Sequence, residues 1–454
     1  MNGFIVLLIL YAITGTIISL VVMRRKQSQE DYFVGGRAIG WVVSALTYAA
    51  TTYSAFMMVG LVGLSYNTGI GAFIFEAVYL LVTLILLSVY GRKIWAMGKE
   101  KGLVSPMELF TNRFGPITGG LGAIIAFVAL IPYTSVQVIG LAIILQNYGI
   151  TFNQGIAIAV GIIAVWAFLG GLRGVAITDA IQGFLMMAIA IAAVIWAGNH
   201  YEGVELSTFP NNVWTPLFFV NLTLPWAFFA LTNPQVVQRL FIIRDKRDFR
   251  KMLILFGAFG LVYTTIVTTI GVSAKYGTLQ GILPVVADQD GVIVAVMSQM
   301  TNWLAIPLAL SIIFASVSTA NSIILTLSSM VTRDVFRQKN NVWLGRGIII
   351  GLAILVGLFS LTRPNYLVQL SVASSRILMC FLPLMFSLFH GKRGGEITGI
   401  LTLTGGAISA ILFGLIAPSF SSLLTLGAII SLFLIGLIID RRWPKSTFSP
   451  PRIG

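Results

Sequence analysis

Hydrophobic residues run through this chain in long blocks, and polar residues mostly fall in short gaps between them. Blocks lie at 3–23, 41–67, 69–90, 116–146, 151–169, 174–197, 215–242, 251–274, 302–330, 344–362, 366–390, 395–416 and 420–440. Nearly all reach the ~20 residues that a helix needs to cross a bilayer core of ~30 Å. The pattern therefore predicts an all-α polytopic membrane protein with about thirteen transmembrane helices, numbered here as spans 1–13. Short connections fill the remainder and leave no room for a separate soluble domain.

Composition agrees. Of 454 residues, 57% are hydrophobic and only 10% charged, against roughly 25% charged in soluble domains. Charge placement then orients the chain. The segment before span 1, MNGF, carries no basic residue, whereas Arg24, Arg25 and Lys26 follow it; a signal peptide has the reverse polarity. Span 1 is expected to be retained with its N-terminus outside. With that orientation, 26 of the 29 Lys and Arg residues fall on inner segments, as the positive-inside rule requires. The inner set includes Arg239 with Arg244, Lys246, Arg247, Arg250 and Lys251; Lys275 and Arg363 are outside and Arg376 is within a span. The net charge of +14 is thus read as topology and attraction to anionic inner-leaflet lipid, with no nucleic-acid partner. The expected location is the cell membrane, multi-pass, with the C-terminus inside. One cysteine, Cys380, excludes an intrachain disulfide, and His200 and His390 fit no metal-ligand spacing.

Two spans are poor continuous helices. Span 2 carries Thr47, Thr51, Thr52 and Ser54 at its middle, then Gly60 and Gly63; span 7 carries Pro225 and then Asn233-Pro234-Gln235. Proline removes a backbone donor, and a helix break inside lipid is tolerated only against protein or a water-filled cavity. Each break falls in the first helix of a five-span block, 41–197 and 215–390. An odd number of spans per block inverts the second block. Interrupted helices at matching places in inverted halves point to a transport site at mid-membrane. The expected organisation is 1–40 (extra helix and inner loop), 41–197 (first repeat), 198–214 (outer loop), 215–390 (second repeat) and 391–454 (two peripheral helices and tail). Span 9 adds a polar stripe: Ser311, Ala315, Ser318, Ser322 and Ser329 share one helix face, bordered by Thr319 and Thr326. Such a stripe serves close helix packing or supplies hard oxygen ligands to an alkali cation.

Several motifs resemble the sodium/solute symporter family: GGRAIG at 35–40, GGLRGVAITDAIQGF at 170–184, ASVSTANS at 315–322 with Thr332-Arg333-Asp334, and the Asn233-Pro234-Gln235 and Gln238-Arg239 region. The resemblance covers essentially the whole chain. It implies a LeuT-type 5+5 inverted repeat with one extra N-terminal and two extra C-terminal helices. It also implies a sodium site made by the carbonyls of Ala50, Tyr53 and Ala315 and the hydroxyls of Ser318 and Thr319. A second ion or proton site would use Asp179, Ser318 and Ser322, with Asn321 where such relatives carry serine. Na+ is the implied coupling ion.

Three ionisable residues, Glu76, Asp179 and Arg376, stand inside predicted spans, where charges are costly and are functional candidates. Arg376 is read either as a structural partner of Glu76, as snorkelling toward an interface, or as a clamp for a substrate carboxylate. The substrate pocket is expected among Thr51, Thr52, Ser54, Phe56, Tyr133, Gln137, Trp226, Phe229, Asn233 and Arg376. The reading is a sodium-coupled symporter importing a small organic solute, favoured to carry a carboxylate (a monocarboxylate, a pantothenate-like acid or an amino acid), and not an enzyme. A proton-coupled symporter, or a channel or non-transporting sensor on the same scaffold, stands as the alternative. A monomer suffices.

Overall fold

The computed structural model describes residues 2–23, 28–201, 209–363, 367–391 and 394–442. The basic residues 24–26, 392–393, 445 and 452 lie outside the described residues. Helices account for almost all of the described chain: α1 (Asn2–Met23), α2 (Trp41–Thr52), α3 (Phe56–Thr68), α4 (Gly71–Glu100), α5 (Pro116–Gln146), α6 (Phe152–His200), α7 (Pro216–Ala227), α8 (Pro234–Phe241), α9 (Lys246–Leu279), α10 (Val292–Gln299), α11 (Asn302–Met330), α12 (Val342–Ser360), α13 (Leu367–Phe389), α14 (Glu396–Ile416) and α15 (Ser421–Arg442). Eleven helical stretches among the described residues are long and apolar enough to cross a membrane, or twelve when the bent pair α2 and α3 counts as one.

The expected thirteen therefore reduces, by this criterion, to eleven or twelve, and the reason is local. Predicted spans 5 and 6 run on as the single 49-residue α6. At ~1.5 Å per residue it is more than twice the hydrocarbon thickness, and it is broken at Gly171, whose φ of +51° and ψ of −162° are not helical. Only glycine fits there: a Cβ would stand 2.6 Å from the Tyr32 carbonyl oxygen. The Tyr32 hydroxyl donates to the carbonyls of Ala167 and Phe168 (2.8 and 3.0 Å), which the break has freed.

The two expected interruptions are present. α2 ends at Tyr53 (φ −93°, ψ 91°), and α3 leaves at 52° to it. Span 7 divides into α7, the single turn Phe229–Thr232, and α8, with Asn233 extended (φ −93°, ψ 111°) before Pro234. The start of α2 and the end of α8 are joined, since Ile39 N–H donates to Ile242 O and Arg244 N–H to Ile39 O, both at 3.1 Å. α11 is buried along its whole apolar length and packs against α5, α6, α2 and α8. α14 and α15 form a pair at the periphery.

Polar contacts tie together the segments at the end where α2 starts. Glu108 Oε1 pairs with Arg333 (2.6 Å), while its Oε2 accepts from the N–H groups of Val104 and Ser105 (2.6 and 3.0 Å). Gln238 Nε2 donates to Val104 O at 3.0 Å, and Arg37 donates to Leu103 O at 2.6 Å.

Candidate functional site

The end of α2 creates the first site. Ala50 lies in the last turn, where carbonyls lack helical partners and carry the negative end of the helix dipole. Two hydroxyls of α11 converge on it: Ser318 Oγ donates to Ala50 O at 3.0 Å and Thr319 Oγ1 at 2.8 Å. Thr319 Oγ1 also reaches Thr51 O (3.4 Å), and Ser318 Oγ reaches Ala315 O (3.1 Å). Four of the five residues expected to ligate sodium, Ala50, Ala315, Ser318 and Thr319, are thus brought together, all fully buried. Tyr53 stands where the helix stops, and its N–H still donates to Ala49 O (2.7 Å). Its carbonyl enters no hydrogen bond with this group.

One turn inward is a second cluster, and here the structure corrects the sequence reading. Arg239 is not on an inner loop: it is completely buried on α8 and pairs with Asp179, also completely buried, at 3.6 Å. Its Nε donates to Thr51 Oγ1 (3.3 Å) and its Nη2 to Ser322 Oγ. Thr47 Oγ1 donates to Asp179 Oδ2 at 2.6 Å, and the Thr51 and Ser322 hydroxyls meet at 2.9 Å. Asp179 and Ser322, expected at a second ion or proton site, are therefore joined through a guanidinium. Ser318 touches this cluster only through its carbonyl, which accepts from Ser322 Oγ (2.8 Å). Asn321 does not join; both polar atoms of its buried side chain lack partners. Thr51 belongs here rather than with the pocket. The signal for Arg239 was the run Gln235, Gln238 and Arg239, one helix face and all at 0% exposure.

Between the breaks is a stack of rings. Phe56 and Trp226 lie 4.9 Å apart and Trp226 and Phe229 5.3 Å apart, both pairs stacked, and Tyr133 meets Trp226 edge-on at 6.4 Å. Tyr79, which the sequence reading did not single out, closes the box at 5.6 Å from Trp226 and 5.8 Å from Phe229. Gln137 Oε1 accepts from Ala55 N–H (3.1 Å), and Ser54 Oγ accepts from Phe56 N–H (3.2 Å), so both serve the start of α3. Asn233 exchanges side-chain hydrogen bonds with Thr232 and Gln235 (3.3 Å each). Thr52 bonds back to Tyr48 O (2.8 Å) and offers its hydroxyl proton to nothing else.

Arg376 is elsewhere. Its Nε donates to Ala410 O (3.2 Å) and its Nη1 to Ser421 Oγ (2.6 Å), so it binds α13 to the peripheral pair. It neither lines the ring stack nor pairs with Glu76, and the clamp and the Glu76 partnership are both withdrawn. The reason is helix phase: position 376 faces α14, whereas the face carrying Leu367, Ser371 and Ser375 turns inward.

A broken helix thus presents carbonyls to a serine and threonine pair, beside a ring-lined seat. The model of the sodium:solute symporter family fits residues 32–392. This chain belongs to that family. It is 23% identical to the osmoregulated proline transporter OpuE of Bacillus subtilis, over 89% of this chain and 87% of that one. It is 25% identical to the sodium/pantothenate symporter of Haemophilus influenzae, over 74% and 72%. Among solved structures, a Na+-coupled sialic acid symporter in a substrate-bound outward-open state superposes with a TM-score of 0.80 at 16% identity, over 98% of this chain and 99% of that one. A nucleobase-cation-symport-1 family transporter in a closed conformation gives 0.60 at 13%, over 92% and 96%. The protein is a multi-pass, all-helical sodium-coupled symporter for a small molecule, with the LeuT-type fold and Na+ as coupling ion.

Proposed function

We propose that Ala50, Ala315, Ser318 and Thr319, with the Tyr53 carbonyl, bind the transported sodium ion, and that the solute sits on the Trp226 stack between the two breaks. The observation that carries this is the convergence of two α11 hydroxyls on the unpartnered end of α2. Carbonyls at an unwound helix end suit sodium, and an ion there would tie α2 to α11. Gln137 and Ser54 hold the first N–H groups of α3 beside the ring stack, so a solute carboxylate at this helix start would take those donors over from them. Proline and pantothenate, named for two relatives, both carry one.

A single ion suffices in this reading. The Arg239 guanidinium already neutralises Asp179, so a second cation has no charge to meet there; the proton-coupled alternative loses its carrier for the same reason. Thirteen crossings, ten of them in two inverted five-helix repeats and with α6 crossing twice, remain the layout we favour. So do the cell membrane as location and an outward N-terminus, which the basic residues support. Sodium and solute each favour one conformation over the other, which couples their movement.

The test is uptake into proteoliposomes with inside-negative potential, under an inward sodium gradient or an inward proton gradient. Sodium should drive accumulation and the proton gradient should not. The combined Ser318→Ala and Thr319→Ala variant should lose sodium stimulation while still folding. Uptake that keeps its sodium dependence in that variant would refute the ion site.

A further inference from the structure

A groove of about 670 Å³ separates the second half of α13 from α15. Phe386 and His390 line it on the α13 side, and Leu426, Ile430, Leu434 and Leu437 on the α15 side. The α15 residues recur at spacings of three and four, so they form one stripe of that helix. Ile430 and Leu434 on the stripe are 46% and 53% exposed, so the groove opens away from the bundle. From Leu426 to Leu437 it extends about 17 Å at ~1.5 Å per residue. That is close to the ~15 Å depth of one leaflet in a ~30 Å hydrocarbon core.

One end of the groove is basic. His390 stands there with its Nε2 at 2.9 Å from the Tyr90 hydroxyl, which leaves Nδ1 without a partner among the described residues. The Lys93 ammonium is 5.7 Å from the centre of the Tyr90 ring and 5.8 Å from that of Phe389, the residue before His390. Arg441, four residues beyond Leu437, is the next position on the α15 stripe and is exposed. None of the three enters an ion pair among the described residues. The neighbouring acid, Asp440, is committed to the start of α14, where its Oδ2 accepts from the N–H groups of Gly395 and Thr398 (2.6 and 2.9 Å). Two cations and an imidazole, from three different helices, thus meet at the mouth of one apolar groove. A small free anion would leave the groove empty, and an apolar partner helix would leave the cations unmet. We propose that the groove seats a phospholipid with an anionic headgroup, an acyl chain lying along the α15 stripe and the phosphate held by Lys93, His390 and Arg441. In the orientation proposed above, the basic end faces the leaflet that supplies such lipids. The bound lipid bridges α4, α13 and α15, apart from both the ion site and the solute seat.

The test is lipid retention by the purified full-length protein, read by native mass spectrometry and by thermal stabilisation in mixed micelles. Dioleoylphosphatidylglycerol is set against dioleoylphosphatidylcholine, which has the same chains and no net charge, and against glycerol 1-phosphate, which has no chain. The wild type should retain one phosphatidylglycerol about 30-fold more tightly than phosphatidylcholine, as two cations facing an anionic lipid allow. Glycerol 1-phosphate should not stabilise it. The combined Lys93→Gln, His390→Gln and Arg441→Gln variant should lose the preference. Leu434→Trp, which fills the groove and leaves every charge in place, should weaken retention of phosphatidylglycerol about tenfold, the worth of two displaced methylenes. Equal retention of the two lipids by the wild type would overturn the proposal, and that comparison needs no variant to fold. A preference that survives the triple variant, or retention unchanged by Leu434→Trp, would overturn it as well. Stabilisation by glycerol 1-phosphate equal to that by phosphatidylglycerol would make the cluster a site for soluble anions and would also overturn it.

Discussion

At the scale of single residues, the buried pair of Asp179 and Arg239 decides most. Both side chains are at 0% exposure, where removing one partner strands the other charge at a cost of about 3–5 kcal/mol and removing both costs much less. Asp179→Asn and Arg239→Gln should each lower the thermal midpoint of the purified protein strongly, and the double variant should recover a large part of the loss. Additive losses would show that the two side chains act independently. The sequence made Asp179 visible because it breaks an apolar run inside a recognisable motif. Arg239 was hidden because five basic residues follow it within twelve positions, and a charge count cannot tell where α8 ends.

At the scale of elements, the breaks were legible because proline, glycine and clustered hydroxyls are local signals. The cover over them was not, because it comes from a connection with no periodic pattern. Residues 289–291 fold onto α3: Gln289 Nε2 donates to Gly60 O at 3.4 Å, and a Cβ at Gly63 would stand 1.9 Å from the Gln289 carbonyl oxygen. The neighbouring Asp290 accepts the Leu367 N–H at the start of α13 (3.1 Å), tying the same turn to a third element. Burial pushes the Asp290 carboxyl up to about 6; the Leu367 N–H opposes this and the Asp288 charge adds to it. A raised carboxyl means that the seated loop holds a proton more tightly than the unseated one. Its contribution is therefore full below about pH 4 and is lost as the pH rises through about 6. Asp290→Asn, which stays neutral, should raise the thermal midpoint at pH 8 and change it little at pH 4. A lower midpoint at pH 8 would mean that the charged hydrogen bond to Leu367 outweighs the cost of burial.

At the scale of the whole molecule, the rings of Phe56, Tyr79, Tyr133, Trp226 and Phe229 are buried, the turn at 289–291 lies on α3, and Glu108, Arg333 and Gln238 tie together the segments near the start of α2. The charges of the interior set how much work a transport cycle can do. On the proposal that Arg239 takes the second cation's place, one sodium ion moves per solute. A tenfold sodium gradient is worth about 1.4 kcal/mol and a potential of 100 mV about 2.3 kcal/mol per charge. One ion with a neutral zwitterion can therefore concentrate the solute roughly 500-fold, and two ions could reach more than 10⁵-fold. One ion with a monoanion moves no net charge, so the same gradient would stop near tenfold and ignore the potential. Steady-state accumulation in tight proteoliposomes, measured at imposed potentials from zero to about 100 mV, separates all three cases. For a solute without net charge, accumulation should rise close to fiftyfold across that range, roughly what one charge allows. A slope of two charges would place a second sodium ion beside Asp179 despite Arg239, and a flat response would make the solute a monoanion.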